Sequence, residues 1–167
     1  MHRIIAFIKF IVFAKNQHGV HSPFVYAYIT ECLYQKQYTL PSKTMSVLLK
    51  SIHYFGSKRV FVQKEDNVLK QQVLKEFHLL NFDNRPYDII YFNNNDPQYA
   101  AKYLLNPEFR NNNTLLLVDN IHQNKASSDA WKSLKEDNSV TVTMDLFYCG
   151  VVFFRTQQVK EHFRIRI

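Results

Sequence analysis

Few side chains in this 167-residue chain are of a type and spacing that does chemistry. His122 stands just past an apolar run, and an imidazole titrating near neutrality is a candidate general base. Its structural alternative is a hydrogen-bonded loop histidine. His18 and His21 lie three apart, so two imidazoles could share one side of a helical turn. No third ligand accompanies them, and a packed turn is the simpler reading. Trp131, the only tryptophan, with Phe147, Tyr148, Phe153 and Phe154, could line an acceptor pocket, although their alternation places them first in a core. The stretch VFVQKEDNVLK, residues 60–70, reads as a strand running into a helix. In nucleotide-binding α/β proteins such a turn carries glycines, which let phosphate or ribose approach bare backbone. Here Gln63, Lys64, Glu65 and Asp66 occupy it. No nucleophilic Ser or Cys arrangement, phosphate loop or zinc cluster stands out.

Composition narrows the setting for these residues. Hydrophobic residues make up 46% and charged residues 21%, with 14 Phe and 10 Tyr, as in a folded globule and unlike a disordered tail. The length suits one domain, residues 1–167, with 1–40 as a helical extension. A net charge of +7 favours anionic partners, but the longest basic run is the pair Lys58-Arg59. A solvated basic surface is therefore preferred to a nucleic-acid site. Cys32 and Cys149 are far apart beside apolar neighbours, which suits reduced thiols in a cytoplasmic protein. The opening MHRIIAFIKFIVFAKN is too short to span a bilayer, which takes about 20 apolar residues, and lacks a cleavage site. No transmembrane segment is expected. Ile4, Ile5, Ile8, Ile11 and Val12 share a helix face, predicting an amphipathic helix docked on the domain or on a second subunit, with membrane-surface attachment as the alternative.

The elements that must position the candidates alternate between helical and strand periods. Ser22 is a predicted N-cap with Pro23 at the first helical position, leading through Val25, Ile29 and Leu33. Met45, Leu48, Leu49, Ile52 and Phe55 form a helical stripe ending at Gly56, a left-handed stop. A strand at 60–63, a helix bearing Leu69, Val73, Phe77 and Leu80, and a strand at 87–92 make a β-α-β unit. A short helix entered by Asp96-Pro97 precedes the apolar strand 114–118, whose continuous hydrophobicity suits a buried parallel sheet. Ser127 or Ser128 is expected to cap a helix through Trp131 and Leu134. Residues 140–147 and 151–155 read as a hairpin turning at Tyr148-Cys149-Gly150, which makes the last strand antiparallel.

The blocks NQHGVHSPFVY, YDIIYFNNND, LLLVDNIHQNKASSDAWKSL and VTVTMDLFYCGVVFFRTQQVKEHFRIRI resemble a bacterial branch of the class I S-adenosylmethionine-dependent methyltransferases. The resemblance covers both ends and most of the second half of the chain. It implies a Rossmann-like α/β fold with a reduced, mostly parallel sheet of about five strands and a reversed last strand. It also implies S-adenosylmethionine as cofactor, held at Gln63, Glu65 and Asn93. In catechol-type relatives a divalent cation such as Mg²⁺ positions the hydroxyl of a small-molecule acceptor, and the matching positions are Asn93, Asp119 and Asn120. Asp119 and His122 would then be the catalytic residues, His122 helping to remove the acceptor proton.

The sequence departs from that family at the cofactor. The family's first strand runs into an acidic residue and a glycine-rich turn, roughly E-L-G-T-S-x-G. The matching residues here are Val62-Gln63-Lys64-Glu65-Asp66-Asn67, whose side chains fill the space. Only residues 81–86 stand where the family places its second and third strands. One metal carboxylate has become the amide of Asn93, with Asp96 near enough to compensate or, more simply, to cap a helix. The expectation is a shortened member with lost or weak cofactor binding. The alternative is a non-catalytic scaffold that pairs with itself or with an intact homologue through the edge and face exposed at the Val60 strand.

Overall fold

The computed structural model describes residues 1–63, 67–93 and 106–167. Its helices are α1 (His2–Phe13), α2 (Pro23–Ala27), α3 (Lys43–Phe55), α4 (Asn67–Glu76) and α5 (Lys125–Glu136). The strands are β1 (Val60–Val62), β2 (Ile89–Asn93), β3 (Leu115–Asp119), β4 (Val142–Asp145), β5 (Cys149–Phe153) and β6 (Glu161–Arg164). They form one six-stranded sheet in the order β1-β2-β3-β5-β4-β6. β1, β2 and β3 pair in parallel, β5 runs against both β3 and β4, and β6 is parallel to β4. The chain is thus α/β with a mixed sheet, coarsely Rossmann-like.

Strand periodicity splits the core into two layers. Val60, Ile89, Tyr91, Leu115, Leu117, Val151 and Phe153 face α3, α4 and the π-helical turn Tyr28–Leu33 that continues α2. Phe61, Ile90, Phe92, Leu116, Val118 and Val152 face the side of Trp131 on α5. Both faces are covered, which is why β2 and β3 read as unbroken apolar runs.

The helix ends follow local chemistry. Ser22 accepts from the Val25 N–H with Pro23 next in line, and Gly56 ends α3 at φ 58, both as the residue types predict. Ser42 caps the start of α3 through the Met45 N–H. For α5 the expectation is corrected: Asn124, not Ser127 or Ser128, is the N-cap and accepts from the Ser127 N–H at 2.9 Å. An amide one turn earlier wins because Ser127 is already buried inside the helix.

Three further expectations change. The sheet has six strands where about five were expected, because Glu161–Arg164 adds itself outside β4. The reversed strand is therefore β5, which is not the last. Its hairpin turns at Leu146–Tyr148, with Phe147 at φ 69, two residues before the predicted turn. The isoleucine stripe of α1 also does not dock on the domain. Ala6, Phe10 and Ala14, on the other side, pack on Phe147, because two alanines let the helix axis come close.

The anticipated edge at the Val60 strand is present but blunted. β1 does border the sheet, yet Val60, Phe61 and Val62 are all buried. The Val60 N–H donates to the Asn81 carbonyl at 2.9 Å and the Asn81 N–H to that of Lys58 at 2.8 Å. At the other border the Lys15 N–H donates to the Arg164 carbonyl at 2.8 Å. Short strands and single-residue bridges blunt both edges.

Asp88, just before β2, anchors the start of β1. Its carboxylate accepts from the Lys58 and Arg59 N–H groups, each at 2.9 Å, and from Arg59 Nη2 at 2.6 Å. Burial alone would raise its pKa, but the Arg59 guanidinium and the two backbone donors outweigh it and hold the carboxyl below the ordinary value. A depressed carboxylate contributes stability above the unfolded Asp pKa of about 3.9 and loses it as pH falls through the folded value. Asp88→Asn is expected to cost about 1–2 kcal/mol at neutral pH, reduced from a buried pair by solvent screening at Arg59. The difference from the parent should shrink below about pH 4. Urea midpoints across pH measure both.

Candidate functional site

The carboxyl ends of adjacent parallel strands are where open α/β sheets bind ligands. There β1 delivers Gln63, β2 ends in Asn93, and β3 ends in Asp119 followed by Asn120. Register sets Asn93 directly beside Asp119. Four of the sequence-derived candidates are thus brought together along one edge. Glu65, with Lys64, Asp66 and Asp96, lies outside the described residues.

Each member is tied inward. Gln63 Oε1 accepts from the Asn93 N–H at 3.1 Å, so the Gln63 amide bridges the ends of β1 and β2, where a glycine turn would leave room. Asp119 Oδ1 accepts from Thr44 Oγ1 at 2.5 Å and from the Asn120 N–H at 2.9 Å. Asp119 Oδ2 accepts from Tyr91 OH at 3.3 Å and from Asn120 Nδ2 at 2.9 Å. Asn120 reaches both oxygens because it adopts φ 55, a left-handed conformation that Asn tolerates. Thr44 stands in the first turn of α3, so capping by Ser42 is what aims it at the carboxylate. Asn93 Oδ1 is buried without a partner among the described residues.

Among the described residues this donor set is a poor match for a hard dication. Ca²⁺ takes six to eight oxygens and Mg²⁺ near-octahedral oxygens, whereas the one carboxylate among the described strand-end residues, Asp119, already accepts from Thr44, Tyr91 and Asn120. Among the described residues no group of three or more His, Cys, Asp or Glu side chains could hold a metal. The Gln63 side chain is hydrogen-bonded across the ends of β1 and β2, and the turn that follows it, residues 64–66, lies outside the described residues.

His122 belongs to a second cluster. Its Nε2 is 2.8 Å from Asp145 Oδ2 at the end of β4, its Nδ1 is 3.4 Å from Ser128 Oγ, and its ring stacks on Phe147 at 5.5 Å. Neither of these hydrogen bonds goes to Asp119. The line Ser128, His122, Asp145 has the residue types of a nucleophile, base and orienting acid. It lacks their geometry: activation needs the hydroxyl within about 3.2 Å of the imidazole. Ser128 Oγ is instead 2.9 Å from His2 Nε2, and α1 lies over the cluster through Phe7 and Phe10 on Phe147. The three residues act as a tether between α1, α5 and β4.

The remaining candidates are structural. Gly150 lets Trp131 lie on β5, and Phe153 and Phe154 are buried on opposite faces of the sheet. Burial pushes the Cys32 thiol up to about 12, and burial with the nearby Asp119 charge pushes Cys149 up as well, so neither is a nucleophile near neutrality. His18 bonds to Asn16 and Gln17, whereas His21 lines a different cavity.

Sequence reasoning missed Thr44, Tyr91 and Asp145. The signal for Asp145 was present, an acid closing an apolar strand as Asp119 does. Thr44 and Tyr91 line a cleft of about 530 Å³ with Leu40, Met45, Leu49 and Leu69 between α3 and α4. Ser42, Gln72, Lys75 and Glu76 line it as well, and the Thr44 and Tyr91 hydroxyls link it to Asp119.

Comparison of the chain with family models, curated proteins and solved structures finds no match.

Proposed function

We propose that this chain is a shortened relative of the class I S-adenosylmethionine-dependent methyltransferases that no longer holds its cofactor and works as a non-catalytic binding protein. The observation that carries the reading is the closure of the strand-end site. The Gln63 amide bridges β1 and β2, and both Asp119 oxygens are taken by Thr44, Tyr91 and Asn120. Ancestry is supported by the four sequence blocks, by a parallel run from β1 to β3, and by a single reversed strand. It is supported too by β1 standing at the sheet border, where loss of the family's second and third strands would leave it.

Chemistry on a hydroxyl acceptor would require a base near the acceptor. His122, the expected base, is bonded to Asp145 and roofed by α1. Among the described residues the fold retains a cleft between α3 and α4.

Calorimetric titration with S-adenosylmethionine, with and without Mg²⁺, tests this. No heat of binding is expected at millimolar ligand, whereas micromolar affinity would restore the enzyme reading.

A further inference from the structure

α1 carries two apolar faces. Ala6, Phe10 and Ala14, spaced by four, dock on Phe147. Ile4, Ile8, Ile11 and Val12 line the opposite side with Ile5 beside them, and Ile4, Ile8 and Val12 are 66%, 58% and 68% exposed. A helix apolar on both sides persists in water only when its outer side is covered.

Charge identifies what covers it. Residues 1–30 include Arg3, Lys9 and Lys15 and no Asp or Glu. The fold gathers more cations at the end of the helix: Arg166 Nη2 donates to the Ala14 carbonyl at 3.3 Å, and the Arg164 guanidinium lies 5.6 Å from the Phe13 ring. Lys15, His21, Lys135 and Arg164 share a cavity of about 410 Å³ that Phe13 also lines. The acids of that cavity are Asp145, already paired with His122, and Glu161. A second copy seated helix against helix would set these cations against their own kind. An anionic lipid surface offers an apolar phase to the isoleucines and phosphates to the flanking cations.

We infer that α1 is an interfacial anchor that lies flat on an anionic bilayer. Ile4, Ile8, Ile11 and Val12 enter the acyl boundary, while Lys9, Lys15 and Arg164 meet headgroup phosphates. It does not span, since 12 residues of helix rise about 18 Å against a hydrocarbon core of about 30 Å. The anchor is independent of the cofactor reading.

Co-sedimentation of the full chain with phosphatidylcholine vesicles, with or without phosphatidylglycerol, tests it. Binding is expected on the phosphatidylglycerol vesicles only and should weaken as salt rises. Ile8→Glu and Val12→Glu should each lower it about tenfold or more, and Lys9→Glu should lower it on the same vesicles. All three positions are exposed, so the circular dichroism and urea midpoint should stay at parental values. Three results would overturn the anchor: no binding, equal binding to both kinds of vesicle, or undiminished binding of Ile8→Glu. A lipid-free dimer that Ile8→Glu dissociates would overturn it too, by showing that a second copy is the cover.

Discussion

Asp119→Ala is expected to lower the free energy of unfolding by about 3 kcal/mol, with no change in the calorimetric response to S-adenosylmethionine. The carboxylate accepts from Thr44, Tyr91 and Asn120, and its removal leaves those donors facing each other at the junction of α3, β2 and β3. Each half-buried donor left unmatched costs about 1–3 kcal/mol. A carboxylate kept for metal or substrate behaves in the opposite way, because an unpaired charge held for function strains the fold and its removal is neutral or stabilising. The sign of the stability change therefore separates the two roles. Urea unfolding followed by fluorescence of Trp131 reads it, with the single tryptophan in the opposite layer of the core. An unchanged or raised midpoint would mean that Asp119 is held for a ligand.

The second large effect concerns Gly150. A Cβ placed there would sit 2.5 Å from both Cη2 and Cζ3 of Trp131 and 3.0 Å from Cε3. No rotamer change of a flexible tip relieves this, because the indole is buried against Leu116, Val118 and Val152. Gly150→Ala is expected to cost about 2–3 kcal/mol by overpacking. Trp131→Leu alone should cost about 3 kcal/mol through the cavity it opens. Combined, the two should cost clearly less than their sum, since the smaller side chain makes room for the methyl. Strictly additive losses in urea titrations would show that Gly150 is required for something other than the indole.

Much of the frame was legible from local pattern. The stripe Met45, Leu48, Leu49, Ile52 closed by Gly56 is α3, and the apolar runs at 87–92 and 114–118 are β2 and β3 to within a residue or two. These elements are buried on both faces or capped by their own neighbours, so short-range chemistry decides them. β6 was not legible because Glu161, His162 and Arg164 give an edge strand no apolar signature. Only the paired neighbour β4 makes it a strand. α1 shows a related limit. Periodicity told which residues share a face, yet not which face turns inward, and close approach through Ala6 and Ala14 outweighed the larger isoleucine stripe.

At the site, four strand-end residues were found because β-strand endings are local facts. Their partners were not. Thr44 is 75 positions from Asp119, and Asp145 is 23 from His122. Such pairings are set by how α3 and β4 pack, which no spacing along the chain encodes. The missing glycines after Val62 were a legible warning, and Gln63 is the physical form the warning takes.

Asn81 and Lys15, capping the two flanks of the sheet by one residue each, also limit how this molecule meets others. A strand added at either flank would have to displace the clasp that already occupies the Val60 N–H or the Arg164 carbonyl. Replacing either clasp, rather than altering any core residue, is the change that would turn this domain toward ordered aggregation.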